Sequence, residues 1–460
     1  MAPERSKKLL PTQPPIDQNL LEFHFPEVRE KKLSNDLTLL IIEKPFLPKV
    51  YIRLGMNFGT KNDPSDKSGL FQLLASSLKK GTAYRNYYQL VDRIEQVGGE
   101  LDTTVNEDFF IIYGEFLRDH LEDGLDILSE LVLHPAFPEE EVEKERLKQL
   151  ADLENEKSSP EFLAHRRMER ALFFPHPYST HRSPESLQNI SRQDLLKFQQ
   201  LSFTPEHSYL VIAGRIKEAE AVQLAEQKFS GWKRTGWKVS PLPQPAVSSE
   251  NRIHLVHRPQ SQQSNILLGN LLFSRQHPDF ERTLVVNKIL GGGATSRLFM
   301  NLREQKGYTY GAYSNLETYR ESGAFMANAE VRSEVTAAAI QAFLEEFQKI
   351  QQQPVPRQEL EDAKRFLVGI FPLQNETSSS IGALALKQQL YQLGENYWNR
   401  YLTAISEVKA VEVLEMANRW IRPREMTMVV VGDADVLLSQ LSSLGKLKIF
   451  DAEDRPLDHP

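Results

Sequence analysis

Leu290–Ser314 reads LGGGATSRLFMNLREQKGYTYGAYS. Just before it, Glu281–Leu290 (ERTLVVNKIL) carries apolar residues at helical spacing, so Gly291, Gly292 and Gly293 end a helix. Thr295 or Ser296 can cap a second helix, predicted over Ser296–Glu304, with Leu298 and Leu302 one turn apart on its buried face. Gln305-Lys306-Gly307 is its exit, Gly307 taking the left-handed cap, and Tyr308–Tyr313 follows as a strand. Arg303 and Tyr310 flank that bend, where a guanidinium and a phenol together suit a peptide carbonyl or carboxylate. An ordinary helix–turn–strand with a surface Arg and a half-buried Tyr has the same pattern. The glycines do not make a phosphate loop, because no strand precedes them and no Lys-Ser/Thr follows Gly293. A loop that touches substrate backbone is the functional expectation for Gly291–Gly293.

Working outward, the same grammar occurs twice. Glu95-Gln96 before Gly98-Gly99 and the strand-like runs Glu100–Asn106 and Asp108–Phe116 parallels Glu304-Gln305 before Gly307 and its strands. YLVIAG at 209–214 parallels MTMVVVG at 426–432, an offset of about 210–220 residues, which reads as an internal duplication. Each half orders strands, helices, a hairpin, a helical block and a last strand. The predicted fold class is therefore α+β, as two similar sandwich halves, each a sheet with helices on one face. The first half opens with strands at Lys32–Glu43 and Val50–Gly59; in the second, helices are predicted at Val335–Ile350, Arg357–Gly369, Ser378–Leu393 and Asn396–Ile405. The predicted organisation is an extended arm over 1–20, a first half over 21–234, a Pro- and Ser-punctuated linker over 235–250, and a second half over 251–460.

Composition narrows the partners. The chain has 460 residues, 40% hydrophobic and 25% charged, enough for real cores. A net charge of −7 without a basic block argues against nucleic acid. The absence of cysteine removes disulfides, thiolate metal sites and Cys nucleophiles. The first twenty residues lack the apolar core of a signal peptide, and no apolar run has the length of a membrane span. A soluble protein is expected, cytoplasmic by default, with a periplasmic location left open.

The GGGATSRLF loop, LREQKGYTYGAYS, the duplicated halves and the elements around GLFQLLASSLKKGT together resemble the insulinase/pitrilysin zinc metallopeptidases, which include the mitochondrial processing peptidase and small bacterial members. Active members carry His-x-x-Glu-His on a helix of the first half, with two zinc ligands one turn apart and the Glu as general base; a later Glu completes the set. Here Gly69-Leu70 and Lys80-Gly81-Thr82 frame that helix. Gln72 then falls at the first His, Ala75 at the Glu and Ser76 at the second His. Asp152 falls at the later Glu and Glu145 at a nearby carboxylate of the family. An amide, a methyl and a hydroxyl leave neither ligands nor base, so no zinc and no catalysis are expected in this chain.

The histidines do not rebuild a site in the sequence. His254 and His257 point to opposite faces of a strand, His165 stands beside Arg166 and Arg167, and His176 and His181 sit in a Pro-containing loop without a nearby acid. All are expected as surface or capping residues.

By the resemblance, Arg303 and Tyr310 stand at the family's substrate-gripping pair. The chain then resembles the zinc-free subunit of a heterodimeric peptidase, whose homologous partner carries zinc in an intact His-x-x-Glu-His and whose substrates are unfolded or extended peptides. Glu100–Val105 matches the edge strand that pairs with substrate in active chains, with Asp102 where Asn is usual. Two other readings stay open: a scaffold that uses the fold without any peptidase role, and a stand-alone enzyme with an unrecognised site.

Overall fold

Thr38–Glu43 (TLLIIE) and Ser208–Gly214 (SYLVIAG) are apolar on both faces, the pattern of strands buried on two sides, and they pair in parallel at the heart of the first sheet. The computed structural model describes residues 23–238 and 241–458; the predicted arm at 1–20 lies outside them. The first sheet contains β1 (Arg29–Lys32), β2 (Thr38–Glu43), β3 (Lys49–Met56), β4 (Glu100–Val105), β5 (Phe110–Leu117) and β6 (Ser208–Gly214). Its order is β1-β2-β6-β3-β5-β4. The second contains β7 (Arg252–His257), β8 (Gln263–Leu272), β9 (Thr309–Thr318), β10 (Gly323–Arg332), β11 (Thr427–Gly432), β12 (Lys446–Phe450) and β13 (Pro456–Leu457). Its order is β13-β12-β7-β11-β8-β10-β9.

The five-strand run β2-β6-β3-β5-β4 is repeated as β7-β11-β8-β10-β9, with the parallel pair in the same place. The duplication read from the two closing strands is thus a duplication of topology. Both sheets end on an edge strand, β4 and β9, that immediately follows the helix-and-bend segment of its half.

Each sheet carries helices on both faces, which corrects the expectation of helices on one face only. Its own helices bury one face. The other face takes a helix from the opposite half. Pro160–Phe173 lays Leu163, Met168 and Leu172 against Leu267, Met326 and Val429 of the second sheet. Ser378–Leu390 lays Ile381, Ala385 and Leu386 against Leu40, Val211 and Ala213 of the first. This exchange makes the two halves share their cores. Strands apolar on both faces require it, since an uncovered aliphatic face forfeits about 25 cal/mol for every Å² left wet.

A polar latch joins the halves between these two helices. The β9–β10 turn enters the first half, where Arg320 N–H donates to Asp108 Oδ2 at 2.7 Å. Lys61 Nζ lies 2.8 Å from Asp108 Oδ1 and 2.7 Å from Glu321 Oε1. Tyr178 OH donates to Asp108 at 2.6 Å. Lys61 and Asp108 are buried, so their charges depend on each other.

Three local differences from the sequence reading have physical causes. Lys32–Glu43 is not one strand: β1 ends at Lys32, Asp36 adopts φ 74° in the turn, and β2 begins at Thr38, the hairpin running from Arg29 to Glu43. Ser296–Glu304 is α-helical only over Arg297–Phe299 and widens to a π-helix over Met300–Gln305, closed by Lys306 N–H on Asn301 O. The helix from Arg357 runs through Pro372 to Gln374, past the predicted stop at Gly369. No helix among the described residues is long and apolar enough to cross a membrane.

Candidate functional site

The helix Leu70–Leu78 starts where the Asp63 carboxylate accepts the N–H groups of Gly69 (2.7 Å) and Phe71 (3.0 Å). Leu70, Phe71, Leu73, Leu74 and Leu78 are fully buried, which turns Gln72 and Ser76, one turn apart, to the half-buried side. Ala75 is buried against the β4 edge, its carbonyl accepting Thr103 Oγ1 at 2.8 Å. Ser76 Oγ donates to Leu73 O and accepts Gln149 Nε2 at 3.2 Å. Gln149, and not Asp152, is therefore the residue of the helix Glu139–Lys157 that meets Ser76. Glu145 is paired with Lys80 at 2.9 Å. Two weak neutral donors and a carboxylate already held by a lysine do not fit a zinc ion. Among the described residues, no group of three or more His, Asp or Glu side chains is placed to hold a metal.

A small cavity of about 190 Å³ lies beside Gln72, bordered by Glu107, Glu156, Glu169, His181 and Arg182. Burial, with Glu317 and Glu107 adding to it, pushes the Glu169 carboxyl up to about 8. Burial and the charges of Arg170 and Arg166 push His181 down to about 3. His181 Nε2 lies 3.6 Å from Glu169 Oε2. His176 is fully buried, 3.3 Å from Glu321. The expectation that these two histidines lack a nearby acid is corrected on both counts. Glu321 arrives from 145 positions away, and no local pattern announces it. His254 is likewise buried, against Phe450, and not a surface residue.

In the second half, Gly291 O accepts Ser314 N–H at 3.0 Å, so the glycine loop pairs with the outer side of the edge strand β9. A Cβ at Gly291 would lie 2.3 Å from Ser314 N, so only glycine permits this approach. Lys288 Nζ holds Gly292 O at 2.7 Å. Gly307 has φ 62°, the predicted left-handed cap. Arg303 stands on the π-helix with its guanidinium 4.7 Å from the centre of the Phe299 ring and Nε 3.4 Å from Glu304. Tyr310, on β9, is 90% exposed. The bend thus presents both side chains to solvent. Wide helical turns of this kind recur where a side chain must be aimed at a ligand.

The residue that sequence reasoning missed is Arg53, on β3. Within the strand predicted over Val50–Gly59 it is one charged position with no motif around it. It lines a cleft of about 550 Å³ that follows β4 together with Tyr113, Lys79, Asp102 and Leu90. Along that edge, Asp102 Oδ1 accepts Lys79 Nζ at 2.5 Å and Thr103 N–H at 2.8 Å. Burial works against the Asp102 charge, but these two donors hold its carboxyl below the usual range.

Two family profiles match the chain: Insulinase (Peptidase family M16) over residues 38–183, and Peptidase M16 inactive domain over 189–367. An uncharacterized zinc protease of Bacillus subtilis, YmxG, is 22% identical over 355 residues, covering 77% of this chain and 86% of that protein. The non-peptidase homolog YmxG of Helicobacter pylori is 24% identical, covering 85% and 90%. Among solved structures, a peptidase M16 inactive domain from Pseudomonas fluorescens superposes with a TM-score of 0.82 at 24% identity, over 88% of this chain and 98% of that one. A protease from Helicobacter pylori superposes with a TM-score of 0.83 at 19% identity, over 89% and 100%. The two profiles reach into both sheets, and the chain belongs to the insulinase family of peptidases, M16.

Proposed function

We propose that this chain is a zinc-free, non-catalytic subunit of a heterodimeric metalloendopeptidase, forming half of a chamber around extended peptides. The observation that carries the reading is the contrast between the halves. The helix Leu70–Leu78 keeps its packing while Gln72, Ala75 and Ser76 replace the groups that zinc chemistry needs. The bend of the second half keeps Arg303 and Tyr310 directed outward. The partner is a homologous chain with an intact His-x-x-Glu-His helix, and zinc belongs to that partner. Arg303 supplies a planar donor fork for substrate carbonyls and Tyr310 a hydroxyl beside it. Gly291 backs this pair by pairing with Ser314 of β9, and Gly291–Gly293 together offer a loop that touches substrate backbone. The profile described as an inactive domain and the relative named a non-peptidase homolog support the non-catalytic part of the reading.

The test is to mix the purified chain with a zinc-bearing homologue from the same source. Peptidase activity on long peptides is expected from the mixture and not from this chain. In the mixture, Arg303→Ala with Tyr310→Phe is expected to lower the rate; an unchanged rate would remove the grip role. A scaffold role is favoured by one observation: Gly291 is already accounted for by its contact with Ser314. That reading expects a stable complex and no cleavage in any mixture.

A further inference from the structure

Arg53, Tyr113 and Asp102 are directly opposite one another on β3, β5 and β4, so they form one row across the outer face of the first sheet. The helix Ser378–Leu390 covers that face over β2, β6 and β3, with Leu386 against Gly55, and Ser379 Oγ accepts Arg53 Nη2 at 3.0 Å. Beyond this point the face is open and becomes the cleft along β4. The Arg53 guanidinium lies over the Tyr113 ring at 5.3 Å, and its Nε is buried without a hydrogen-bond partner. Among the described residues, no carboxylate comes within 4.0 Å of it. The acids that share its cleft are otherwise engaged or at a distance. Glu115 is paired with Lys49, and Asp102 with Lys79. A half-buried arginine is ordinarily paired, because desolvating a guanidinium without a counter-charge is costly. Burial indeed lowers the Arg53 pKa with only Tyr113 opposing it.

The edge itself is partly engaged. Asn106 N–H donates to Phe109 O, and the alternation of an antiparallel pair then turns the backbone groups of Leu101 and Thr103 away from β5, toward the open edge. The outward N–H of Thr103 is taken by Asp102, and the outward carbonyl of Leu101 lies 3.4 Å from Lys79 Nζ. An incoming strand would find one donor and one acceptor already used by side chains, a common way to blunt a sheet edge.

We propose that this cleft binds the terminal carboxylate of an extended peptide, with Arg53 as its counter-charge, and reads it through side chains, two of the outward backbone groups of β4 being already engaged. Tyr113 supplies the floor on which the guanidinium lies, and the half-buried Val91 and Ile94, across β4, an apolar wall for the preceding residues. The inference deepens the reading of the chain as a peptide-binding subunit and rests on it.

The experiment compares one fluorescein-labelled unstructured peptide made as the free acid and as the C-terminal amide, by fluorescence anisotropy with the full chain. The free acid is expected to bind about ten-fold tighter or more, the usual gain of a charge-assisted hydrogen bond. Arg53→Met removes the preference, and Arg53→Lys keeps part of it; thermal unfolding of both variants shows that the fold is retained. The preference persists when Arg303→Ala and Tyr310→Phe are introduced. Equal binding of acid and amide, or a preference that survives Arg53→Met, overturns the proposal. A preference lost only with Arg303 and Tyr310 also overturns it, while leaving the subunit reading in place. Absence of any peptide binding overturns it too, and the mixing assay then decides the subunit reading separately.

Discussion

Replacing Glu169 with Gln is expected to stabilise the protein, and to do so only above a definite pH. Glu169 lies on the helix Pro160–Phe173, beside the cavity at Gln72, with Glu317 of β9 and Glu107 near it and His181 at 3.6 Å. Its ordinary value of 4.5 rises to about 8 in the folded protein. Because the folded value is the higher one, the folded chain holds a proton that the unfolded chain has already released. The contribution to stability is full below 4.5 and is lost as the pH climbs toward 8. At ~1.4 kcal/mol for each pH unit the whole interval is worth at most ~5 kcal/mol, and solvent access to the side chain reduces the expected effect to roughly 2 kcal/mol at pH 8. A glutamine preserves the neutral shape and cannot ionise. Urea unfolding of the two proteins at a series of pH values measures the difference directly. Near pH 4.5 the two should agree, and the variant should gain steadily up to pH 8. A difference that does not change with pH, or a variant that becomes relatively weaker as the pH rises, would refute this reasoning.

Lys61→Met leaves Asp108 buried without its cation, and the expected loss is about 3–5 kcal/mol in urea unfolding, the usual cost of breaking a buried pair. Because the exchanged helices still bury both sheets, unfolding should remain a single transition, seen by coincidence of intrinsic fluorescence and circular dichroism. Gly291→Ala places a methyl 2.3 Å from Ser314 N, so β9 must shift; a loss of about 1–3 kcal/mol in thermal unfolding is expected. Arg303→Ala with Tyr310→Phe, both on the surface, should move stability by no more than about 0.5 kcal/mol, so a lower rate in the mixed peptidase would reflect function and not folding.

Much of the architecture is legible in short apolar runs. YLVIAG and MTMVVVG, apolar on both faces, occupy matching places in the two sheets, and that repetition is enough to give paired α+β halves. Which helix covers which sheet is not legible, because Leu163 and Ile381 have the same periodicity whether they pack on their own sheet or on the other. The emptied metal helix was visible at Gln72, Ala75 and Ser76, since the losses are changes of chemistry at fixed spacing. The contacts that matter most around it were not. His176 meets Glu321, and Lys61 meets both Asp108 and Glu321, across separations no local pattern encodes. The wide turn over Met300–Gln305 was hidden for another reason: Leu298 and Leu302 bury equally well in an α- or a π-helix, and the Asn301–Lys306 hydrogen bond decides between them. Helices such as Ala410–Trp420, with Val413, Met416 and Ala417 inward, carry an adequate signal in their apolar spacing.

The account turns on what Gln72, Ala75 and Ser76 cannot do, and metal analysis of the isolated chain tests it most directly. After incubation with zinc and exhaustive dialysis, elemental analysis should find far less than one zinc per chain, and the protein should leave casein intact. Tightly held zinc at one per chain, with casein cleavage abolished by a chelator, would contradict the account.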